Sequence, residues 1–281
     1  MDERPDFSIR RMRRDEVDLA IEWAAAEGWN PGLHDAECFH AADPDGFLIA
    51  YLGKQAIGCI SVVAYDAAFA FLGLYIVRPE FRGRGWGLKL WQAGMRQLEN
   101  RNVGLDGVIA QQDNYRKSGF HLEYRNIRYM GTGGQPSATG LTGLSEVAFD
   151  ELLAYDSAIF PVPRESFLRC WVRQPQAAGY ARLRNGRLAG YGLIRQCRQG
   201  YKIGPLFADD SAIADDLFRM LAAQTAGAAV YLDAPECNAA ALELAQRYGM
   251  QKVFETARMY TGQAPAVPIE RVFGVTTFEL G

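Results

Sequence analysis

Histidine is scarce in this sequence, and its cysteines are unpaired. The 281 residues include three histidines and five cysteines, and none of them belongs to a C-x-x-C or H-E-x-x-H motif. Zinc sites and disulfide frameworks usually need such spacings. We therefore expect five reduced thiols and no metal site.

An excess of basic charge and a long apolar run are also missing. The formal net charge is −3, so no positive field exists to hold a phosphate backbone, and nucleic acid is not expected as a partner. The longest apolar run, residues 67–77, is shorter than the ~20 residues of a membrane-spanning helix. Residues 1–16 lack the apolar core of a signal peptide. We expect a cytoplasmic protein with no membrane partner.

The length and composition are those of a globular protein with two domains. Hydrophobic residues make up 49% of the chain and charged residues 22%, and a chain of this length is typical of two domains of about 100–200 residues each. Near residue 131 the sequence GTGGQPSATGLTG loses its apolar period, which indicates a linker. We predict a first domain at 1–131, a linker at 132–143 and a second domain at 144–281.

Helix and strand patterns occur in a similar order on both sides of this linker, which predicts an α/β (α+β) protein with a divergent internal duplication. The first half is predicted to form helices at 12–27, 34–40, 85–98 and 112–118 and strands at 47–51, 55–65, 69–77, 103–110 and 122–130. The second half is predicted to form helices at 145–158, 164–173, 211–225 and 238–248, strands at 178–184, 187–196, 201–207 and 228–233, and two closing strands.

Two predictions concern packing. Leu88, Trp91, Met95 and Leu98 have helical spacing and are predicted to form one buried stripe. Arg164 stands where a helix is predicted to begin, and we expect it to be a surface charge.

A glycine-rich loop joins the strand at 69–77 to the next predicted helix. The residues that give the loop its character alternate along it: Arg82, Gly83, Arg84, Gly85, Trp86 and Gly87. Glycines leave backbone N–H groups accessible to an anion, the start of a helix adds the positive end of its dipole, and the arginines add formal charge. The loop is therefore predicted to bind a pyrophosphate.

Other glycine motifs do not fit this loop. A Walker loop needs G-K-[ST], but Leu88 stands between Gly87 and Lys89. A dinucleotide fingerprint would need glycine at position 88. A glycine-rich turn without a ligand remains the alternative.

The loop and its surroundings resemble the GNAT superfamily of acyl-CoA N-acetyltransferases over residues 8–130. Three short motifs carry the resemblance: R-x-x-G-x-G at residues 82–87, V-x-P-x-F at residues 77–81 and Y-x-x-x-G-F at residues 115–120. The resemblance implies a mixed, mostly antiparallel central sheet flanked by helices in each domain. It also implies acetyl-CoA as co-substrate, with its pantetheine between strands 69–77 and 103–110, bonded by the amides of Ile76 and Val77. An amine would attack the thioester directly in a ternary complex.

The resemblance also implies catalytic roles. Tyr115 would donate a proton to the departing thiolate; the alternative is a tyrosine that only packs on the core. Because strand 69–77 lacks the glutamate that some relatives carry, Glu27 is the first candidate for the base, although it could be a solvated carboxylate at a helix end. Ordered water could relay the proton instead.

Three aromatic residues are candidates for the substrate pocket: Trp29, Tyr65 and Tyr75. Trp29 could equally pack against the core, and Tyr65 and Tyr75, with Asp66, are also weaker candidates for the base.

The second half has no matching loop. Residues 204–211, GPLFADDS, stand in its place, and their carboxylates would repel a pyrophosphate. We expect one acetyl-CoA site and a degenerate second domain that shapes the acceptor pocket or holds a homodimer, as the resemblance to tandem GNAT proteins implies. The predicted function is acetylation of a small amine, of aminoglycoside or polyamine type. A non-catalytic acyl-CoA sensor and a peptide or protein N-acetyltransferase are the alternatives.

Overall fold

The computed structural model describes residues 6–134 and 136–281. Two parts of the chain lie outside the described residues. They are residues 1–5, in the segment that was expected to hold no signal peptide, and Gln135, in the predicted linker. None of the helices in the described part of the chain is long and apolar enough to cross a membrane.

The described residues form eight α-helices and thirteen strands, in a mixed α/β arrangement. The helices are α1 (Arg14–Ala26), α2 (Asp35–Ala42), α3 (Trp86–Gln97), α4 (Gln112–Lys117), α5 (Phe149–Ser157), α6 (Glu165–Trp171), α7 (Ser211–Ala223) and α8 (Ala239–Arg247). The strands of the first half are β1 (Phe7–Arg11), β2 (Phe47–Leu52), β3 (Gln55–Ala64), β4 (Phe69–Val77), β5 (Asn102–Val108) and β6 (His121–Thr132). Those that follow are β7 (Thr142–Gly143), β8 (Ala177–Arg184), β9 (Arg187–Gln196), β10 (Tyr201–Ala208), β11 (Ala229–Pro235), β12 (Gln251–Tyr260) and β13 (Val272–Gly274).

All the strands belong to one sheet. Its order is β1-β2-β3-β4-β5-β12-β6-β11-β10-β9-β8-β7, and β13 pairs with β10. Two neighbouring pairs, β4 with β5 and β10 with β11, are parallel. The remaining pairs are antiparallel. The expected mixed, mostly antiparallel sheet is therefore confirmed.

The two halves exchange strands at the centre of this sheet. Strand β12, from the second half, pairs with β5 from the first, while β6, from the first half, pairs with β11 from the second. The exchanged strands β12 and β6 also pair with each other. The sheet is continuous through both halves, and the domain boundaries at 131 and 144 stay predictions.

The helices of the first half cover both faces of its strands. On one face, Val17 of α1 and Phe39 of α2 share a buried cluster with Trp171 of α6, so the two halves have a joint core. On the other face, α3 packs through Leu90 and Trp91.

One packing prediction is wrong in part and the other is wrong. Trp91 and Leu98 are buried as predicted, but Leu88 is 60% exposed, because the buried face of α3 runs through Leu90, Trp91 and Gly94. Arg164 is not a surface charge: it is buried, donates to both carboxylate oxygens of Asp156 at 2.8 Å, and also donates to Thr276. An arginine can be buried there because its Nε and Nη2 form a two-bond contact with the Asp156 carboxylate.

Candidate active site

Strands β4 and β5 separate at one end and open a cleft. Their parallel pairing runs from Phe69 opposite Asn102 to Leu72 opposite Leu105 and goes no further. Just beyond, the β3–β4 pairing is irregular, because the three residue steps from Gly73 to Ile76 on β4 lie opposite the two steps from Cys59 to Ser61 on β3. Within this stretch Leu74 has a positive φ of 43°. This bulge turns β4 away from β5. We call the resulting cavity of about 400 Å³ the β4–β5 cleft.

The glycine-rich loop lies at the mouth of this cleft. Gly83 and Gly85 have φ values of 74° and 82°, which other residues adopt only with strain, and Gly85 is the N-cap of α3. Within the described residues, the amides of residues 83–87 donate no hydrogen bond to a backbone carbonyl. Five unpaired N–H groups at a helix start form a site that fits a pyrophosphate.

Most of the residues predicted to bind coenzyme A line the cleft: Ile76, Val77, Arg82, Gly83 and Gly87. The other three are not among its lining residues. Arg84 and Gly85 are exposed beside it, and the Trp86 ring stacks on Phe7, with the ring centroids 4.7 Å apart.

Tyr115 lies in the cleft beside β5. Its ring occupies the space that a side chain at Gly107 would need and packs against Trp91 at 5.6 Å between centroids. No hydrogen bond among the described residues involves its hydroxyl. Burial, and to a lesser extent the nearby Tyr75, raises the pKa of this hydroxyl above its ordinary value, so Tyr115 stays protonated and can act as a donor.

Glu27 also lines the cleft, but its carboxylate is engaged. It forms an ion pair with Arg82, whose Nε donates to the carbonyl of Val77 at 2.7 Å. Glu27 therefore helps to hold Arg82 beside the loop, and its role as base stays a prediction.

The aromatic candidates divide between the cleft and the core. Trp29 and Tyr75 line the cleft, and the backbone carbonyl of Trp29 accepts a hydrogen bond from Arg128 at 2.7 Å. Tyr65 is not part of the cleft lining. Its hydroxyl donates to the carbonyl of Leu280 at 2.8 Å, and its ring packs on Phe160.

Sequence reasoning missed part of the lining. Asp106 of β5, Phe254 and Thr256 of β12, and Phe278 and Glu279 line the same cleft. Asp106 could have been noticed as a charge within an apolar strand. The other four reach the cleft only through the strand exchange and the closing segment of the chain, and no local pattern signals such contacts.

The corresponding opening in the second half is filled. Pairing of β10 with β11 stops at Ile203 opposite Leu232, and β13 then pairs with β10. In the loop that follows β10, Asp209 accepts hydrogen bonds from Tyr155 and Arg271, and Asp210 caps α7 by accepting from the amide of Ile213.

Comparisons with known proteins agree with this geometry. Residues 11–123 match the model of the Acetyltransferase (GNAT) family, and residues 152–274 match that of an Acetyltransferase (GNAT) domain. The chain is 32% identical over 284 residues to holothin acyltransferase of Pseudoalteromonas sp. (strain SANK 73390). The alignment covers 100% of this chain and 97% of the relative.

Two solved structures have a similar fold. A putative acetyltransferase from Pyrococcus horikoshii superimposes with a TM-score of 0.85 at 22% identity, over 98% of this chain and 96% of the other. A tandem GNAT protein from the clavulanic acid biosynthesis pathway gives 0.62 at 13% identity, over 92% of this chain and 100% of the other. The relative matches along nearly its whole length, and both halves of the chain match a GNAT model. The chain therefore belongs to the GNAT family as a tandem-domain acyltransferase.

Proposed function

We propose that the protein transfers an acetyl group from acetyl-CoA to the nitrogen of a small amine, directly and within a ternary complex. The observation that carries the proposal is that the unpaired amides of residues 83–87 and the free hydroxyl of Tyr115 meet at one cleft. The first feature suits the pyrophosphate of coenzyme A, and the second suits the sulfur that leaves.

Two parts of the coenzyme, the pyrophosphate and the pantetheine, would each have a matching part of the cleft. The amides at the start of α3 would bind the pyrophosphate, helped by Arg82 and Arg84. The amides of Ile76 and Val77 would bond the pantetheine where β4 and β5 no longer pair. Because β13 occupies the equivalent opening of the second half, we propose a single acetyl-CoA site.

The chemistry follows from this placement. The amine nitrogen attacks the thioester carbon, the new C–N bond forms, and the C–S bond breaks with its electron pair going to sulfur. Tyr115 donates a proton to the thiolate, and the nitrogen releases one proton as the amide forms. The amine must be neutral when it attacks, because an alkylammonium has no lone pair.

The walls of the cleft favour a small acceptor over a peptide. On the side formed by the second half, Phe254 and Phe278 line the cleft, and Trp29 lines it as well. Its volume of about 400 Å³ is in the range of small-molecule sites. A long open groove for a polypeptide would need this side to be uncovered.

Thiol release from acetyl-CoA tests the proposal. The panel should contain polyamines, arylalkylamines, aminoglycosides, amino acids and holothin, the last because a relative is named for its acylation. We expect amine-dependent thiol release with at least one class. Thermal stabilisation by coenzyme A without release on any amine would contradict the proposal and favour an acyl-CoA sensor.

A further inference from the structure

Three carboxylates line the β4–β5 cleft, and two of them are already bound by arginines. Glu27 pairs with Arg82. Asp106 accepts from Nε and Nη2 of Arg258 at 3.0 and 2.6 Å, and from the amide nitrogen of Asn126 at 2.8 Å. The third, Glu279, is 4% exposed, and no hydrogen bond to its carboxylate occurs among the described residues. Among the described residues, it is therefore the one lining carboxylate that has neither a hydrogen bond nor an ion pair.

The backbone around Glu279 is firmly held. Within residues 275–281, which we call the closing segment, the amide of Val275 donates to the carbonyl of Asp233 at 2.8 Å. The hydroxyl of Thr276 accepts from the buried Arg164, also at 2.8 Å. The carbonyl of Leu280 accepts from Tyr65. Contacts on both sides of Glu279 fix its position before substrate binds.

Glu279 lies beside the point where β4 and β5 separate. Its backbone crosses β4 at Gly73, so closely that no side chain fits there, and Gly73 directly follows the last paired residue, Leu72. Tyr115 packs on Gly107, which is just beyond the last paired residue of β5. Glu279 and Tyr115 therefore border the opening from opposite strands.

The charged side chains that act on Glu279 come from four elements: β6, β9, β10 and α2. Arg128 of β6 is bound to Asp233, and Arg195 of β9 is bound to Asp35 of α2. Lys202 of β10 is buried, and burial lowers its pKa.

Burial outweighs these charges at Glu279. It raises the pKa of the carboxyl above its ordinary value, although Lys202, Arg128 and Arg195 act in the opposite direction and Asp35 adds to the rise. A carboxylate whose pKa is raised above its ordinary value is a more basic proton acceptor.

We infer that the carboxylate of Glu279 accepts the proton that the amine loses as its nitrogen attacks the thioester. The inference rests on the proposed function. One proton passes from nitrogen to a carboxylate oxygen, the electron pair of the C–S bond leaves with sulfur, and Tyr115 supplies the proton of the free thiol. Exchange with water then restores both residues, so that amide and thiol are the only products.

The test compares Glu279→Gln with Glu279→Asp and with Glu270→Gln, a change at an exposed position shortly before the closing segment. With an amine that the wild type acetylates, we expect Glu279→Gln to lower kcat about 100-fold. The KM for acetyl-CoA and the Kd of coenzyme A should stay within about twofold. Glu279→Asp should keep an intermediate rate, and Glu270→Gln should behave as wild type.

A pH profile separates proton transfer from a structural role. An aromatic amine whose own pKa lies below the pH range measured removes the titration of the substrate. With it, kcat/KM of the wild type should rise with pH as Glu279 loses its proton, and Glu279→Gln should lack this rise.

Each outcome bears on one claim. A wild-type rate in Glu279→Gln, or a flat wild-type profile, overturns the inference and leaves the proposed function standing. A wild type that binds coenzyme A but acetylates no amine overturns both. If Glu279→Gln does not fold, the wild-type profile decides alone.

Discussion

The carbonyl oxygen of Glu279 lies 2.1 Å from the position that a Cβ atom of Gly73 would occupy. No real side chain tolerates that distance, so glycine at position 73 lets the closing segment lie directly on β4. A strand of the first half and the last residues of the second half therefore form one wall of the β4–β5 cleft. The second half takes part in building the site, although its own opening is filled by β13.

Gly73→Ala should displace the closing segment. Because the obstacle is backbone rather than a flexible side chain, we expect the free energy of unfolding to fall by about 1–3 kcal/mol and turnover to fall more than about tenfold. Binding of coenzyme A should change little, since residues 83–87 are not touched. Denaturant unfolding, thiol release and calorimetry measure the three effects.

Gly143→Ala is the matched control, because its added Cβ meets the flexible side chains of Glu146 and Ser145 at 3.2 and 3.7 Å. It should leave turnover unchanged. Full turnover in Gly73→Ala would show that the position of the closing segment does not matter for the reaction.

Tyr115→Phe should separate chemistry from binding. Loss of the hydroxyl leaves the thiolate without its donor, so kcat should fall by about 100-fold, while the affinity for coenzyme A should be kept. Tyr201→Phe, at a partly buried position against the core of the second half, is the control for removing a phenolic hydroxyl. An unchanged kcat in Tyr115→Phe would remove this residue from the mechanism.

Glu16 is expected to make stability depend on pH. It accepts two hydrogen bonds from Arg10, one from the amide of Arg13 and one from Tyr51, and chiefly the bonds from Arg10 lower its pKa from 4.5 to about 2. A lowered pKa stabilises the fold above the unfolded value of 4.5, and this contribution is lost as the pH falls towards 2.

Glu16→Gln should therefore lower the free energy of unfolding at pH 7 by about 1–2 kcal/mol, less than the full shift implies, because Arg10 is 41% exposed and screened by water. Urea titrations at neutral and acidic pH should show the gap to wild type narrowing below pH 4.5. The exposed Glu243→Gln is the control. A gap that widens on acidification would refute this account of Glu16.

Cys38 of α2 and Cys170 of α6 are in direct contact, with their sulfur atoms 2.8 Å apart. A low-molecular-weight disulfide should oxidise them to an intramolecular disulfide, taking up their two electrons and two protons. Mass spectrometry after digestion should find the linked peptides and a loss of two hydrogens. The bond should form in Cys237→Ser, in which the exposed thiol is removed, but not in Cys38→Ser. If Cys38 and Cys170 both remain free thiols in the oxidised wild type, the prediction is contradicted.

Local features could be predicted from the sequence. The loop at residues 82–87 depends on glycines that are adjacent in the chain, and the pocket tyrosine at position 115 belongs to a short motif, so both could be found without a structure. Apart from β1 and the two-residue β7, which were not predicted, the order of helices and strands in each half was predictable for the same reason. Periodicity is a property of neighbouring residues.

Features that join distant parts of the chain could not be predicted. Strand β12 has an ordinary strand pattern, and nothing in it indicates that it lies between β5 and β6. Glu279 stands in TTFELG, which shows no period or motif. Arg164 could be taken for a surface charge because its partners, Asp156 and Thr276, are brought to it only by the fold.

Isothermal titration with coenzyme A tests the central claim, that the backbone amides of residues 83–87 bind a pyrophosphate at the start of α3. Pantetheine, which lacks the pyrophosphate together with the phosphoadenosine, is the comparison ligand. The account predicts saturable binding of coenzyme A and an affinity for pantetheine at least about tenfold lower. No heat of binding with coenzyme A at millimolar concentration, or equal affinities for the two ligands, would contradict it.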